Sequence, residues 1–315
     1  MNPTRDTFFA AYRGARGFKK LPRADRSIVF YAEDSGSWPH LGPIIESLIE
    51  THKRRVVYLA SSATDPVLGG RRDGILPFFI GSGHVRTWLF QGLQAGVLVT
   101  TMPDLDNFHV KRSFYPVHYL YVHHSIVSTH MIYRKGAFDH FDTICCVGPH
   151  HEREIRATES LYGLPEKTLV SHGYPRLDTL LGESEEPTMN ENGARLRLLV
   201  APSWGPNGML ETCGEELVQI LLDADFHVTV RPHPMTRRLS GQVLDSLTGR
   251  FDGHPLFAFE EDVAGLESLL TSNMMISDWS GAALEYSFSR ERPVLFLDLP
   301  RKVNNPEWGR LGIEP

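Results

Sequence analysis

Histidines, serines and an aspartate stand at the ends of apolar runs in this sequence, where a parallel sheet would present them to a ligand. In the second half of the chain the motifs are Pro202-Ser203-Trp204, Arg231-Pro232-His233-Pro234 and Ser277-Asp278-Trp279-Ser280, with Arg292-Pro293 ahead of Val294-Leu295-Phe296-Leu297. In an open α/β sheet the carboxyl ends of the strands line one crevice, and ligands bind there. A histidine, a serine–aspartate pair and helix N-termini converging on such a crevice suit a phosphate-bearing ligand. Protonated His233 would neutralise a phosphate. A hydrogen-bonded turn histidine is the equal alternative, since Pro232 and Pro234 hold the strand tip extended. Ser280 reads as the N-cap of the helix that follows, and Gly281 leaves room for a phosphate to approach the backbone. Glu285, on the second turn of that helix, is placed to accept hydrogen bonds from a ribose, or is simply a solvated helical glutamate.

In the first half, Tyr121-Val122-His123-His124-Ser125 ends a strand with paired histidines. Successive side chains on an extended strand point to opposite faces. One of the pair is therefore placed to act as a general base on an acceptor hydroxyl. His118, His123, His124 and His130 also invite a metal reading, but neither a zincin helix nor finger spacing supports it. His150-His151, at the start of a helix, reads as surface. Gly81-Ser82-Gly83-His84 is a weak anion-binding signal, and the chain has no P-loop, no dinucleotide fingerprint and no nucleophile elbow.

The elements that position these residues follow from periodicity. Ser27–Ala32 reads as a buried strand, His40–His52 as an amphipathic helix and Val56–Ala60 as a second strand. Together they form one strand–helix–strand unit of about 30 residues. Further strands are expected at Gly96–Thr100, Tyr119–Val122, Thr143–Val147 and Thr168–Val170. An acidic, breaker-rich stretch between Leu181 and Arg195 marks a linker. The pattern then restarts with strands at Arg197–Ala201, His227–Arg231, Met274–Ile276 and Val294–Leu297, and helices at Glu215–Ala224, Val263–Leu270 and Gly281–Phe288. At 315 residues, two domains of about 150 residues are expected. The reading is an α/β protein with two Rossmann-type parallel-sheet domains facing a central cleft. They span residues 27–185 and 195–315, the second without the closing helix such domains usually carry.

Composition bounds the function. The net charge of −6 argues against nucleic acid as a partner. No run approaches the ~20 apolar residues of a membrane span, and no cleavable leader is evident. The three cysteines show no disulfide or metal pattern, which fits a reducing cytoplasm. Residues 1–26 are a basic arm. Arg5, Arg13, Arg16, Lys19, Lys20, Arg23 and Arg26 are interleaved with Phe8, Phe9, Tyr12 and Phe18. The arm reads as a helix packed on its own domain, or as an amphipathic segment that touches an anionic membrane surface.

Taken in order, these motifs resemble the CDP-glycerol glycerophosphotransferases, the teichoic-acid primases and polymerases of GT-B fold. The likeness spans roughly residues 27–300. Val122-His123-His124-Ser125 resembles the acceptor-domain Trp-His-Gly motif and places His124 on the family's catalytic-base histidine. Ala201-Pro202-Ser203-Trp204 resembles Ala-Pro-Thr-Trp, Arg231-Pro232-His233-Pro234 resembles Arg-x-His-Pro, and Ser277-Asp278-Trp279-Ser280 resembles Ser/Thr-Asp-Tyr-Ser. Ser125 replaces the family's glycine, Ile126-Val127-Ser128 departs from Thr-Pro-Leu-Lys, and Gly205 stands where the family often has arginine. The resemblance implies catalytic roles for His124 and His233, and substrate contacts from Ser203, Arg231, Ser277, Asp278 and Ser280, to which the helix reading adds Gly281 and Glu285. It also implies CDP-glycerol or a similar donor, a glycan or lipid-linked acceptor reached from the cytoplasmic face, release of CMP, and no cofactor, with metal dependence left open. A GT-B glycosyltransferase or sugar-nucleotide epimerase would share the phosphate-binding half. A non-catalytic nucleotide- or membrane-binding protein on the same scaffold is the third reading.

Overall fold

The computed structural model describes residues 3–70, 72–108, 110–182, 195–261 and 265–315. It divides into two units, residues 1–175 with 304–315, and residues 176–303.

The first unit opens with α1 (Pro3–Lys20), followed by β1 (Ile28–Ala32), α2 (Trp38–Glu50), β2 (Val56–Ala60), β3 (Ile75–Phe79) and α3 (His84–Gln91). After these come β4 (Val97–Thr100), β5 (His118–Val122), the single turn α4 (Thr129–Ile132), β6 (Thr143–Cys146), α5 (Pro149–Tyr162) and β7 (Thr168–Ser171). The seven strands pair in the order β3-β2-β1-β4-β5-β6-β7, all in parallel. A parallel sheet is covered on both faces, so its central strands read as unbroken apolar runs. Strand period then sorts each run into two cores. Val29, Tyr31, Val57 and Leu59 face one core, with Ala15 and Phe18 of α1 and Leu89 and Phe90 of α3. Phe30, Ala32, Val56 and Tyr58 face the other, with Leu41 and Ile45 of α2. The basic arm is therefore helical and packed on its own unit. Gly14 makes that docking close, because a Cβ there would lie 1.9 Å from the Phe79 carbonyl oxygen.

The second unit is built the same way. It contains α6 (Pro175–Gly182), β8 (Arg197–Val200), α7 (Met209–Asp223), β9 (His227–Val230), α8 (Pro234–Phe251) and β10 (Phe257–Phe259). It continues with α9 (Glu267–Thr271), β11 (Met274–Ser277), α10 (Gly281–Arg290) and β12 (Val294–Phe296). The parallel order is β10-β9-β8-β11-β12. Leu198, Val200, Val228 and Val230 pack with α7 and α8, and Leu199, Ala201 and Met275 pack with Leu180, Ala283 and Tyr286.

Three differences from the sequence reading have physical causes. The helix α8 and the strand β10 were not foreseen. Pro234 lacks an N–H to lose and opens α8 at its first turn, and Leu244, Leu247 and Phe251 then recur on its buried face. The boundary falls at Pro175, not near residue 190. Leu180 of α6 belongs to the second core, while the linker expected after it lies mostly outside the described residues. Finally, residues 304–315 belong to the first unit, not to a domain spanning 195–315. Asn304 and Asn305 donate backbone N–H groups to the Met131 carbonyl, and a short 3-10 turn, Trp308–Leu311, follows.

Candidate active site

In each sheet the strand order reverses once, between β1 and β4 in the first unit and between β8 and β11 in the second. Such reversals open the crevice where α/β proteins bind ligands, and the polar motifs gather at both.

In the first unit, His124 follows β5 and turns its ring toward the end of β4. Its Nδ1 lies 3.0 Å from the Thr101 carbonyl oxygen. A carbonyl only accepts, so Nδ1 carries the proton and Nε2 keeps its lone pair. The Tyr133 hydroxyl donates to Nε2 at 3.4 Å. Burial pushes the Tyr133 phenol up to about 12, which keeps that hydroxyl protonated. Burial also lowers the His124 pKa, against the opposing pull of the Thr101 carbonyl and the Asp34 carboxylate. His124 is thus a neutral imidazole with its basic nitrogen defined.

His123 points the opposite way. It is 1% exposed, stacks on His151 with ring centroids 4.0 Å apart, and neither ring nitrogen has a hydrogen-bond partner. Burial, then His151, His124 and His150, hold its pKa well below the usual histidine value. His150-His151, expected at the surface, turn inward instead, His150 to the Ile126 carbonyl at 3.0 Å. His151 is fully buried because Nε2 donates to the Val127 carbonyl at 2.9 Å and Nδ1 accepts from Val147 N at 3.3 Å. The other two histidines are also accounted for, His118 by Thr143 Oγ1 and His130 by Ser128 Oγ and the Ile313 carbonyl. Among the described residues no group of His, Cys, Asp or Glu side chains is arranged to hold a metal ion.

In the second unit, Asp278 spans the reversal. Its carboxylate accepts from Ser203 N at 2.6 Å and from Met209 N at 3.0 Å, tying the end of β8 and the start of α7 to the end of β11. Ser277 is fully buried and donates to the Ala201 carbonyl at 2.7 Å. His233 is the N-cap of α8, and its Nδ1 accepts from Met235 N at 3.1 Å. That bond leaves the ring proton on Nε2, so a neutral His233 is already a hydrogen-bond donor. The cap role and the phosphate role are compatible, and protonation is not required. Ser280 caps α10 through Ala282 N, with Gly281 at the first helical position.

Comparison with known proteins identifies what this arrangement belongs to. Residues 88–300, more than half of the chain, match the model of the CDP-glycerol:poly(glycerophosphate) glycerophosphotransferase family. The chain belongs to this family. Its enzymatic class is accordingly that of a CDP-glycerol glycerophosphotransferase.

Solved structures share the fold. The wall teichoic acid polymerase TagF aligns over 93% of this chain and 76% of its own at 14% identity, with a TM-score of 0.56. A putative UDP-N-acetylglucosamine 2-epimerase from Listeria monocytogenes aligns over 89% and 80% at 12% identity, with a TM-score of 0.59. The UDP-GlcNAc 2-epimerase from Methanocaldococcus jannaschii, in complex with UDP-GlcNAc and UDP, aligns over 86% and 83% at 14% identity, with a TM-score of 0.57. The shared fold is the GT-B type. No curated protein sequence matches the chain.

Within this glycerophosphotransferase the expected site residues fall into two groups. His124 in the first unit, and His233, Ser280 and Gly281 in the second, follow strand ends and are partly exposed. Ser203, Arg231, Ser277 and Asp278 are buried and paired within the unit. Arg231 is 6% exposed and donates to Ser268 Oγ and the Gly265 carbonyl, so it braces the strand tip. Glu285 is paired with Arg176 at 2.9 Å. Arg292 donates to the Leu270 and Ser272 carbonyls and closes α9. Sequence reading did not find Thr101 or Tyr133, which act through positions that only β-sheet pairing and chain reversal bring near His124.

Proposed function

We propose that this enzyme transfers a glycerol-phosphate, or a related polyol-phosphate, from CDP-glycerol to a hydroxyl of a cell-envelope glycan or lipid-linked acceptor, releasing CMP. The observation that carries the reading is the Nδ1–H···O=C bond from His124 to Thr101. It fixes a neutral imidazole with Nε2 as the acceptor, the state a general base needs. The acceptor hydroxyl takes the place of the Tyr133 hydroxyl at Nε2. Its oxygen forms a bond to the β-phosphorus of the donor, the bond from that phosphorus to the CMP oxygen breaks, and the hydroxyl proton passes to Nε2. His233 Nε2–H donates to a phosphate oxygen of the donor, and the N-terminus of α10 faces the same anion. The protein's contribution is positioning and neutralisation of charge on the transferring group.

The test is CMP release from CDP-glycerol in the presence of acceptor. His124→Ala should lower turnover by about 10²–10⁴-fold, the usual range for a general base, with donor affinity unchanged. His123→Ala should keep turnover in whatever fraction folds. The opposite result would assign the base to His123.

No helix among the described residues is long and apolar enough to cross a membrane. Access to a lipid-linked acceptor is assigned to α1. Phe8, Phe9 and Tyr12 are exposed at 50%, 49% and 44%, beside exposed Arg13, Arg16 and Lys20. Aromatic and basic residues side by side suit an anionic lipid surface on the cytoplasmic side. The protein should cosediment with phosphatidylglycerol vesicles and not with phosphatidylcholine vesicles, and Arg13→Glu with Arg16→Glu should abolish it. Equal sedimentation with both lipids removes the assignment.

A further inference from the structure

Among the described residues of the second unit, Lys302 is a cation placed close to the assigned residues. Lys302 follows β12 and folds over the Trp204 ring, with Nζ 3.2 Å from the ring centroid. The same ring lies 5.9 Å from the His233 ring, centroid to centroid. Trp204 is the residue after Ser203, whose N–H is fixed by Asp278. The ammonium therefore stands at the reversal between β8 and β11, on a ring that also neighbours the histidine that caps α8. Lys302 has no ion-pair partner among the described residues. The groups facing it are Asp278 from the β11–α10 turn and Glu211 from the first turn of α7. Both carboxylate oxygens of Glu211 are buried without a hydrogen-bond partner, and its Oε2 would lie 2.5 Å from a Cβ at Gly208. Neighbouring Arg301 is turned to the Trp279 ring instead, at 5.2 Å.

We propose that Lys302 is a donor-binding residue of this enzyme, whose ammonium pairs with the diphosphate of CDP-glycerol over the face of Trp204. The inference rests on the donor reading given above and deepens it. A cation held against an aromatic face keeps its charge available while it is partly stripped of water, and a lysine serves a phosphate as a point charge. Burial lowers the Lys302 pKa to about 7, against the opposing pull of Asp278 and Glu211. The bound diphosphate favours the ammonium form and raises that pKa again. Donor binding at alkaline pH must then draw a proton from solution, and binding of a nucleoside without phosphates must not.

Calorimetry in two buffers of different ionisation enthalpy reads this proton directly. With CDP-glycerol the wild-type protein should take up little at about pH 6 and approach about one proton near pH 8.5. Cytidine should show none. Lys302→Gln should weaken CDP-glycerol about 10- to 100-fold, as expected for loss of a charge-assisted contact, and should lose the uptake. Lys302→Arg should retain most of the affinity without uptake, because a guanidinium stays charged across this range. His233→Ala should keep the uptake near pH 8.5, because Lys302 carries the proton. Unchanged affinity and uptake in a normally melting Lys302→Gln protein would overturn the proposal. So would equal weakening in the Gln and Arg variants, which would mark a packing role. A wild-type protein that binds no CDP-glycerol would instead overturn the donor reading, and this inference with it.

Discussion

His123 and His151 stack inside the first unit, and both stay neutral where an exposed histidine would titrate. Burial lowers the His151 pKa to about 4, against an ordinary value of about 6.5. Above the ordinary value neither the folded nor the unfolded chain carries this proton. As pH falls from about 6.5 toward 4 the unfolded chain binds it and the folded chain does not, so stability is lost across that window. A difference of that size is worth roughly 3 kcal/mol at a fully buried site. His123 and His124 contribute in the same direction, since burial lowers both. Urea unfolding should show a clear loss of stability from about pH 7.5 to about pH 5. His151→Gln should be weaker at neutral pH yet show a shallower slope, and an undiminished slope would place the acid sensitivity elsewhere. The sequence showed the histidine pairs and the divergence of His123 from His124, but not the partners that hold each ring. Adjacent residues on one strand end went to opposite faces, one to Thr101 and one to the core.

At the scale of elements, the central strands were legible because both faces of a parallel sheet are apolar, as in Val29–Ala32 and Val56–Ala60. The helix α8 was not. Its buried residues Leu244, Leu247 and Phe251 are diluted by Arg237, Arg238, Ser240 and Asp245, so the apolar period is weak. The strand β10 is three residues long, too short for alternation to register. The docking of α1 depends on a contact no periodicity reveals. Gly14 sits against the backbone of β3, and a methyl group there would meet the Phe79 carbonyl. A helix cannot push aside a paired strand, so Gly14→Ala must lift α1 from the sheet. The variant should lose about 1–3 kcal/mol, the usual penalty of overpacking, as read from its urea midpoint. An unchanged midpoint would mean that α1 contributes little to the fold.

For the molecule as a whole, the two-unit α/β architecture and the family were both accessible from the order of strand-end motifs. The division at Pro175 and the placement of residues 304–315 were not, because both depend on packing at chain positions that carry no linker texture. Within the donor motifs the sequence marked the right turns but not the right atoms. Asp278 and Ser277 hold the turn through Ser203 N and the Ala201 carbonyl, while His233 and Lys302 gather at the Trp204 ring. The fold alone is shared with UDP-GlcNAc 2-epimerases, so the identity of the nucleotide is what separates this enzyme from them. Calorimetric titration of the intact protein with CDP-glycerol, CDP, cytidine and UDP-N-acetylglucosamine tests that most directly. CDP-glycerol and CDP should bind, cytidine should bind weakly, and UDP-N-acetylglucosamine should give no saturable heat. His233→Ala should weaken the two diphosphates by about 1–3 kcal/mol, the range of a charge-assisted hydrogen bond. Saturable binding of UDP-N-acetylglucosamine with none of CDP-glycerol would contradict the assignment of this protein as a glycerol-phosphate transferase.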